Sequence, residues 1–237
     1  MSDRPLVIAH RGASAHRPEN PLPASELAIE QAADMIEIDL HVTRDGEVAI
    51  RHDAELDGLG LDGEIADRDL AELRRLDVGG GQPMPTLDEV LDGFADRIPF
   101  NLELKVGGAG PYPGLEARAV AAARQRGVLG DTLYSSFDDE VLGGLRREGA
   151  DVRLAVLVSA RAPGGMFERA EAVAAEAINP FFTLVDRALV ERAHGAGMKV
   201  YPYTVDELDW MERLLELGVD GLFTNWPDRL RGLLDGT

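Results

Sequence analysis

The fold expected from this sequence is a single (β/α)8 barrel of the TIM type over residues 1–237, with a short insertion after the second strand, and three observations lead to it. Short apolar runs alternate with longer amphipathic stretches along the whole chain, the pattern of a parallel sheet with helices outside. Eight such units fit into 237 residues, as a barrel requires. The strand-like runs end in polar residues and no Gly-x-Gly-x-x-Gly follows the first of them, which favours a barrel mouth over an open doubly wound sheet.

The first strand is residues 5–9 (PLVIA), and 23–33 reads as its helix. Residues 35–40 (MIEIDL) alternate apolar and acidic side chains at the period of a strand, and 47–52 (EVAIRH) add an extra strand after it. The stretch 53–92 is the least regular. LDGLGLDGEIADRDLAELRRLD carries turn signals before a short helical pattern, and GGGQPMPTLDEVLDGF is a loop running into another helix, so this stretch reads as the insertion within one unit. Strands then fall at 98–104 (IPFNLEL), 132–136 (TLYSS), 152–158 (VRLAVLV), 176–180 (EAINP), 199–203 (KVYPY) and 221–224 (GLFT). Helices at 114–126, 138–148, 166–175, 186–195, 206–217 and 226–234 separate them, several opened by an Asp or Asn cap or closed by glycine. VGGAGPYPG (106–114) is too rich in glycine and proline for a helix; a loop over the mouth is expected, carrying Tyr112 toward whatever binds there.

With 24 basic against 43 acidic residues, the formal net charge is −19, a field that repels nucleic acid and anionic membrane surfaces. A phosphate-bearing ligand must therefore be drawn by a local positive site. The absence of cysteine excludes disulfides and thiolate metal sites. No run approaches a membrane span, and the apolar residues before His10 are too few for a signal segment, so a soluble cytoplasmic protein is expected.

In MIEIDLHV, Ile36, Ile38 and Leu40 share one face while Glu37, Asp39 and His41 share the other. If the apolar face meets the helices, the acidic face points into the barrel, where unpaired carboxylates are costly. IPFNLELK repeats the pattern, with Ile98, Phe100, Leu102 and Leu104 on one face and Asn101, Glu103 and Lys105 on the other. Two strands thus send Glu37, Asp39 and Glu103 to one place. A structural Glu–Lys salt bridge explains either strand alone; both together point to a cation, because clustered acids protonate unless one holds them. Oxygen donors without cysteine suit one hard divalent ion, Mg2+ or Ca2+, with Mn2+ also admissible. His10, directly after the first strand, and His52, at the end of the 47–52 run, fit an acid and a base. Arg11 offers a fixed fork for phosphate oxygens and Lys105 a point charge. Acids, ion and cations together leave a net charge of about +1, which suits a phosphodiester monoanion.

HRG (10–12), PEN (18–20), MIEIDLHVTRDG (35–46), RHD (51–53), PTLDEVL (85–91), LELK (102–105) and GVDGLFTNWPD (218–228) together resemble, in order and spacing over nearly the whole chain, the glycerophosphodiester phosphodiesterase family. The resemblance implies a barrel that hydrolyses glycerophosphodiesters to sn-glycerol 3-phosphate and an alcohol with a divalent metal. By position it implies His10 and His52 as the acid/base pair, Glu37, Asp39 and Glu103 as metal ligands, and Arg11 and Lys105 as phosphate contacts. Glu19 and Asn20 would orient Arg11 or the metal's waters. The chain departs from the family pattern at Pro21, where threonine is usual, and at Tyr203, where tryptophan is frequent. It departs again at Asp206 and Asn225, where Asn and Asp are commoner, and LDGLGLDG lacks an Arg-Thr-Thr stretch. These positions bear on the pocket for the glycerol or the leaving alcohol, with Tyr203 a candidate substrate contact. Two other readings stay open: a phosphodiesterase of the same fold acting on lysophospholipids or another phosphodiester, and a barrel that binds metal or a phosphate metabolite without turnover.

Overall fold

The structure is a computed structural model and describes residues 4–20 and 22–236; the departure at Pro21 lies outside the described residues. Strand β1 (Leu6–His10) leads to helix α1 (Leu22–Glu30), and β2 (Met35–Val42) is followed by β3 (Val48–Ile50), which turns back antiparallel on β2. Helices α2 (Leu70–Leu73) and α3 (Leu87–Phe94) precede β4 (Phe100–Leu104), after which β5 (Val106–Gly107) and β6 (Gly110–Pro111) make a small hairpin. The chain continues through α4 (Leu115–Gln125), β7 (Thr132–Ser136), α5 (Asp139–Glu148), β8 (Arg153–Val158), α6 (Met166–Ala172) and β9 (Ala177–Pro180). It ends with α7 (Arg187–Gly195), β10 (Lys199–Val200), α8 (Leu208–Leu217), β11 (Gly221–Thr224) and α9 (Pro227–Asp235).

Eight strands pair in the order β10-β9-β8-β7-β4-β2-β1-β11, which is chain order read around a ring. Backbone bonds from Asp220 N–H to Val200 O (3.0 Å), Phe223 N–H to Pro202 O (3.0 Å) and Val205 N–H to Phe223 O (2.8 Å) join its two ends. The expected (β/α)8 barrel is the fold. Strand β10 is shorter than its apolar run, because Pro202 has no N–H to continue the ladder; Tyr201 and Tyr203 still donate to Ile178 O and Pro180 O.

Alternation decides which side chains face where. Ile36, Ile38 and Leu40 of β2 and Phe100, Leu102 and Leu104 of β4 pack with the helices in the main apolar core. Inside the ring Ile8, Met35, Leu133, Ala155, Ala177, Tyr201 and Phe223 form a second apolar cluster. Two residues further along the same strands stand His10, Glu37, Ser135, Asn179, Tyr203 and Asn225, so a mostly polar layer lies above an apolar plug, toward the C-terminal ends of the strands. Capping sets the helix starts: Thr86 Oγ1 accepts the Glu89 N–H (3.3 Å) while Glu89 accepts the Thr86 N–H (3.0 Å), and Asp138 accepts from Glu140 and Val141.

The stretch read as an insertion, about 53–92, contains two things. Leu56, Ile65, Leu73 and Met84 pack with Ala49 of β3 into a small side core, and from Leu87 onward the chain is α3, the helix between β2 and β4. Residues 106–114 lie at the mouth as expected, but as a small hairpin and without carrying Tyr112 into it. β5 and β6 pair across a tight turn that Gly110 (φ 104°) permits, and Glu64 accepts the Gly108 N–H (3.0 Å). Tyr112 turns inward: it is buried, with its hydroxyl 2.8 Å from His41 Nδ1, because an aromatic ring gains more from packing under the hairpin than from reaching into the mouth.

Candidate active site

β2 and β4 lie side by side with Asp39 opposite Glu103, so strand alternation brings Glu37, Asp39 and Glu103 together. All three are buried, and ligand oxygens of the three lie within 4.8 Å of one another. Glu37 Oε2 accepts the Arg11 N–H (2.9 Å), while Oε1 meets no hydrogen-bond donor. Asp39 Oδ2 accepts from Asn20 Nδ2 (3.0 Å) and lies 3.3 Å from Arg11 Nε. The Lys105 ammonium pairs with Asp39 Oδ1 (2.9 Å) and with Glu103. Burial pushes the Glu37 carboxyl well above the usual range, helped by the charges of Asp39 and Glu103. Burial raises Glu103 too, against the pull of Lys105. On Asp39 the same burial is outweighed by Lys105 and Arg11, which hold that carboxyl well below its ordinary value. A buried set of oxygen donors whose ionisation is costly, with Glu37 Oε1 left without a donor and one oxygen each of Asp39 and Glu103 met only by the Lys105 ammonium, fits a hard divalent cation.

The turn after β1 supplies the cations. Arg11 (φ 58°) and Asn20 (φ 71°) are both in the left-handed region, a strain that persists where the surrounding structure fixes the conformation. Gly12 (φ 79°) has no alternative, since a Cβ there would stand 2.6 Å from the Ala24 carbonyl carbon. The Asn20 N–H donates to Arg11 O (2.9 Å) and the Arg11 guanidinium to Glu19 (2.6 Å), so HRG and PEN are one motif in space.

His10 donates from Nδ1 to Asn225 Oδ1 (2.7 Å), and burial, with Arg11 beside it, pushes its imidazole down to about 4. With Glu37, Asn101, Glu103, Ser135 and Tyr203 it lines a small cavity of about 20 Å³. His52 stands at the rim, its Nδ1 2.7 Å from Asp53 Oδ1, and lines a larger cavity of about 330 Å³ with Glu55, Lys105, Val106, Phe137 and Asp138. Tyr203 is half-buried; its hydroxyl donates to Val158 O (3.2 Å) and its ring packs edge-on against Phe137 and Phe181, so the ring lines the site while the hydroxyl is occupied. His10, Arg11, Glu19, Asn20, Glu37, Asp39, His52, Glu103, Lys105 and Tyr203 thus lie at the same end of the barrel.

Three residues here have a part that sequence reading does not assign: it places His41 on the acidic face without a role, gives Asn225 only as a departure bearing on the alcohol pocket, and does not mention Ser14. His41, on the acidic face of β2, is buried; its Nε2 donates to the His52 carbonyl (3.1 Å), its Nδ1 accepts from Tyr112, and burial pushes the ring down to about 4. The strand period marks it, two residues beyond Asp39. Asn225 holds His10, and its place two residues beyond Phe223 on the inward face is the available signal. Ser14, whose Oγ lies 2.7 Å from His10 O, carries none.

A parallel barrel whose mouth gathers three buried carboxylates that could seat a metal ion, two cations and two imidazoles has the makings of a phosphoric ester hydrolase. The chain belongs to the Glycerophosphoryl diester phosphodiesterase family, whose profile matches residues 10–229. It is 33% identical over 240 residues to the glycerophosphodiester phosphodiesterase of Caldanaerobacter subterraneus subsp. tengcongensis, covering 97% of each chain. It is 32% identical over 254 residues to that of Bacillus subtilis, covering 95% of this chain and 85% of that one. Among solved structures it is similar to an Oleispira antarctica phosphodiesterase in complex with the product sn-glycerol-3-phosphate, at 31% identity and a TM-score of 0.86, covering 98% of this chain and 97% of that one. Among the described residues no helix is long and apolar enough to cross a membrane.

Proposed function

We propose that this chain, acting as one barrel domain, hydrolyses glycerophosphodiesters to sn-glycerol 3-phosphate and an alcohol, with one divalent cation, Mg2+ or Ca2+, held by Glu37, Asp39 and Glu103. The observation that carries this reading is the convergence of three buried carboxylates beside His10 and His52, in a chain 31% identical to a relative described with sn-glycerol-3-phosphate bound as product.

The cation, when bound, supplies charge neutralisation on the phosphoryl oxygens. Arg11, oriented by Glu19, grips the same oxygens as a fork, Lys105 adds a point charge, and Asn20 fixes Asp39. One of His10 and His52 takes the proton of the nucleophile, and the other protonates the departing alkoxide. The alcohol occupies the cavity of about 330 Å³ beside His52. Its wall sets Phe137 and Val106 against Asp53, Glu55 and Asp138, which suits a small polar alcohol better than an acyl chain and weighs against a lysophospholipid.

The test compares the His10→Ala and His52→Ala variants on a natural glycerophosphodiester and on an ester of p-nitrophenol, whose phenolate leaves without a proton. The variant lacking the acid should recover most of its rate on the activated ester and the variant lacking the base should not. An equal response from both variants, or wild-type protein that releases no glycerol 3-phosphate from a panel of glycerophosphodiesters, contradicts the proposal.

A further inference from the structure

Behind His10 lies a second layer of polar groups that the proposed chemistry does not use directly. Asn225 Nδ2 donates to Asp206 Oδ2 (2.7 Å), and the Asn225 backbone N–H donates to Asp206 Oδ1 (2.9 Å). Thr224 Oγ1 donates to the same Oδ1 (3.2 Å), and Arg229 donates to the Asp206 carbonyl (2.6 Å). The opposite end of the amide, Asn225 Oδ1, accepts from His10 Nδ1 and stands 2.8 Å from Ser14 Oγ. A carboxylate accepts hydrogen bonds and has none to give, so Asp206 dictates which way the Asn225 amide points. The amide nitrogen must face Asp206, the amide oxygen must face His10, and the proton of a neutral His10 must then sit on Nδ1. Nε2 is left with its lone pair for the site cavity that His10 lines with Glu37 and Glu103.

We infer that Asp206 and Asn225 form a positioning pair for the reaction, in which Asp206 locks the Asn225 amide and Asn225 fixes His10 as the Nδ1–H tautomer with Nε2 presented to the reacting atoms. The inference rests on His10 acting in catalysis as proposed above. It has a consequence that simple packing does not share: what matters is the direction of the donor–acceptor chain, not the identity of either residue. With Asp206→Asn the two facing amides leave Asn225 free to turn its nitrogen toward His10, which selects the wrong tautomer. With Asn225→Asp two carboxylates face each other across a 2.7 Å contact, and the chain keeps its direction only in the fraction of molecules that has taken up a proton between them. With both substitutions the amide at 206 donates to the carboxylate at 225, which accepts from His10, and the chain is whole again.

The experiment measures steady-state kinetics of the metal-loaded wild type, both single variants and the double variant on one glycerophosphodiester. In parallel, nitrogen-15 NMR of histidine-labelled protein reads the tautomer of His10, assigned among the five histidines by its loss in His10→Ala. Each single variant is expected to lose about 10–100-fold in kcat with KM held within roughly a factor of three, the range for a partner that orients a functional ligand. The double variant should return to within about fivefold of wild type, which independent losses would not produce. The spectra should show Nδ1–H in wild type and double variant, and a shift toward Nε2–H in Asp206→Asn. If Asn225→Asp does not fold, Asp206→Asn and the double variant decide the matter. An unchanged tautomer and kcat in Asp206→Asn, or a double variant as slow as the worse single one, overturns the inference. If no variant nor the wild type turns over the diester, the proposed reaction fails, and the tautomer pattern alone still decides whether the pair positions His10.

Discussion

Glu37→Gln removes one of the three clustered charges while keeping the side chain's shape and an oxygen to accept the Arg11 N–H. At an effective dielectric near 20 and the 4.8 Å that bounds the cluster, each carboxylate pair repels by about 3.5 kcal/mol. Glu37 has two such neighbours in Asp39 and Glu103, and smaller attractions to Arg11 and Lys105 oppose them. The net repulsion and the desolvation of a side chain in a residue only 1% exposed act in the same direction, against the charged carboxylate. The metal-free variant should therefore be more stable than the wild type by about 1–2 kcal/mol, or roughly 2–8 °C in Tm for a chain of this size. Cation affinity moves the other way. Loss of a direct ligand should weaken Mg2+ or Ca2+ by at least about 100-fold, beyond the loss expected from a partner that only orients one. Thermal unfolding with and without added metal reads both effects, because a ligand that binds only the folded state raises Tm. A metal-free Tm below that of the wild type, or an undiminished rise on adding metal, would refute this reasoning.

His10→Ala and His52→Ala should each cost about 100-fold or more in kcat, and the double variant should be scarcely slower than the worse single one, since either loss already disables a cooperating pair; multiplying losses in steady-state assays would separate them. Gly12→Ala should destabilise by more than about 2 kcal/mol and abolish turnover, because the φ of 79° and the 2.6 Å approach to Ala24 leave no room for a methyl without moving Arg11; chemical denaturation at wild-type midpoint would contradict this. At Asp220, burial is outweighed by Lys199, His194 and the Val200 N–H, which hold the carboxyl below its ordinary value of 3.8. A depressed folded value means that the stabilisation is complete above that unfolded value and is lost as pH falls through the lower folded one. Asp220→Asn should thus cost about 1–2 kcal/mol at pH 7 and progressively less below pH 4; a deficit that does not shrink in acid would rule the pairing out as its source.

Much of the site was legible because period-two alternation is a backbone property that burial cannot disguise. Glu37, Asp39 and Glu103 sit where the pattern puts them, and the same alternation separates the helix-facing Ile36, Ile38 and Leu40 from the interior. The pairing of HRG with PEN was legible only as spacing; of the two left-handed residues that create it, Asn20 is a type enriched in that region, but Arg11 is not and carries no such signal. Tyr112 misled because glycine and proline mark a turn without stating its direction, and the burial of its ring depends on His41, which lies 71 residues away in the chain. The Asp206–Asn225–His10 chain was out of reach for the same reason. Its members come from separate barrel units, and only closure of the ring between the last strand and the first brings them together.

The most direct test follows phosphorus NMR of a glycerophosphodiester with protein stripped of metal, then with Mg2+, Ca2+ and Mn2+ restored singly. The stripped protein should leave the diester intact. At least one restored ion should convert it one for one to sn-glycerol 3-phosphate, and Glu103→Gln should abolish that conversion. Full turnover by the stripped protein, or the appearance of a phosphorylated alcohol in place of glycerol 3-phosphate, would contradict a metal-dependent glycerophosphodiesterase at this barrel mouth.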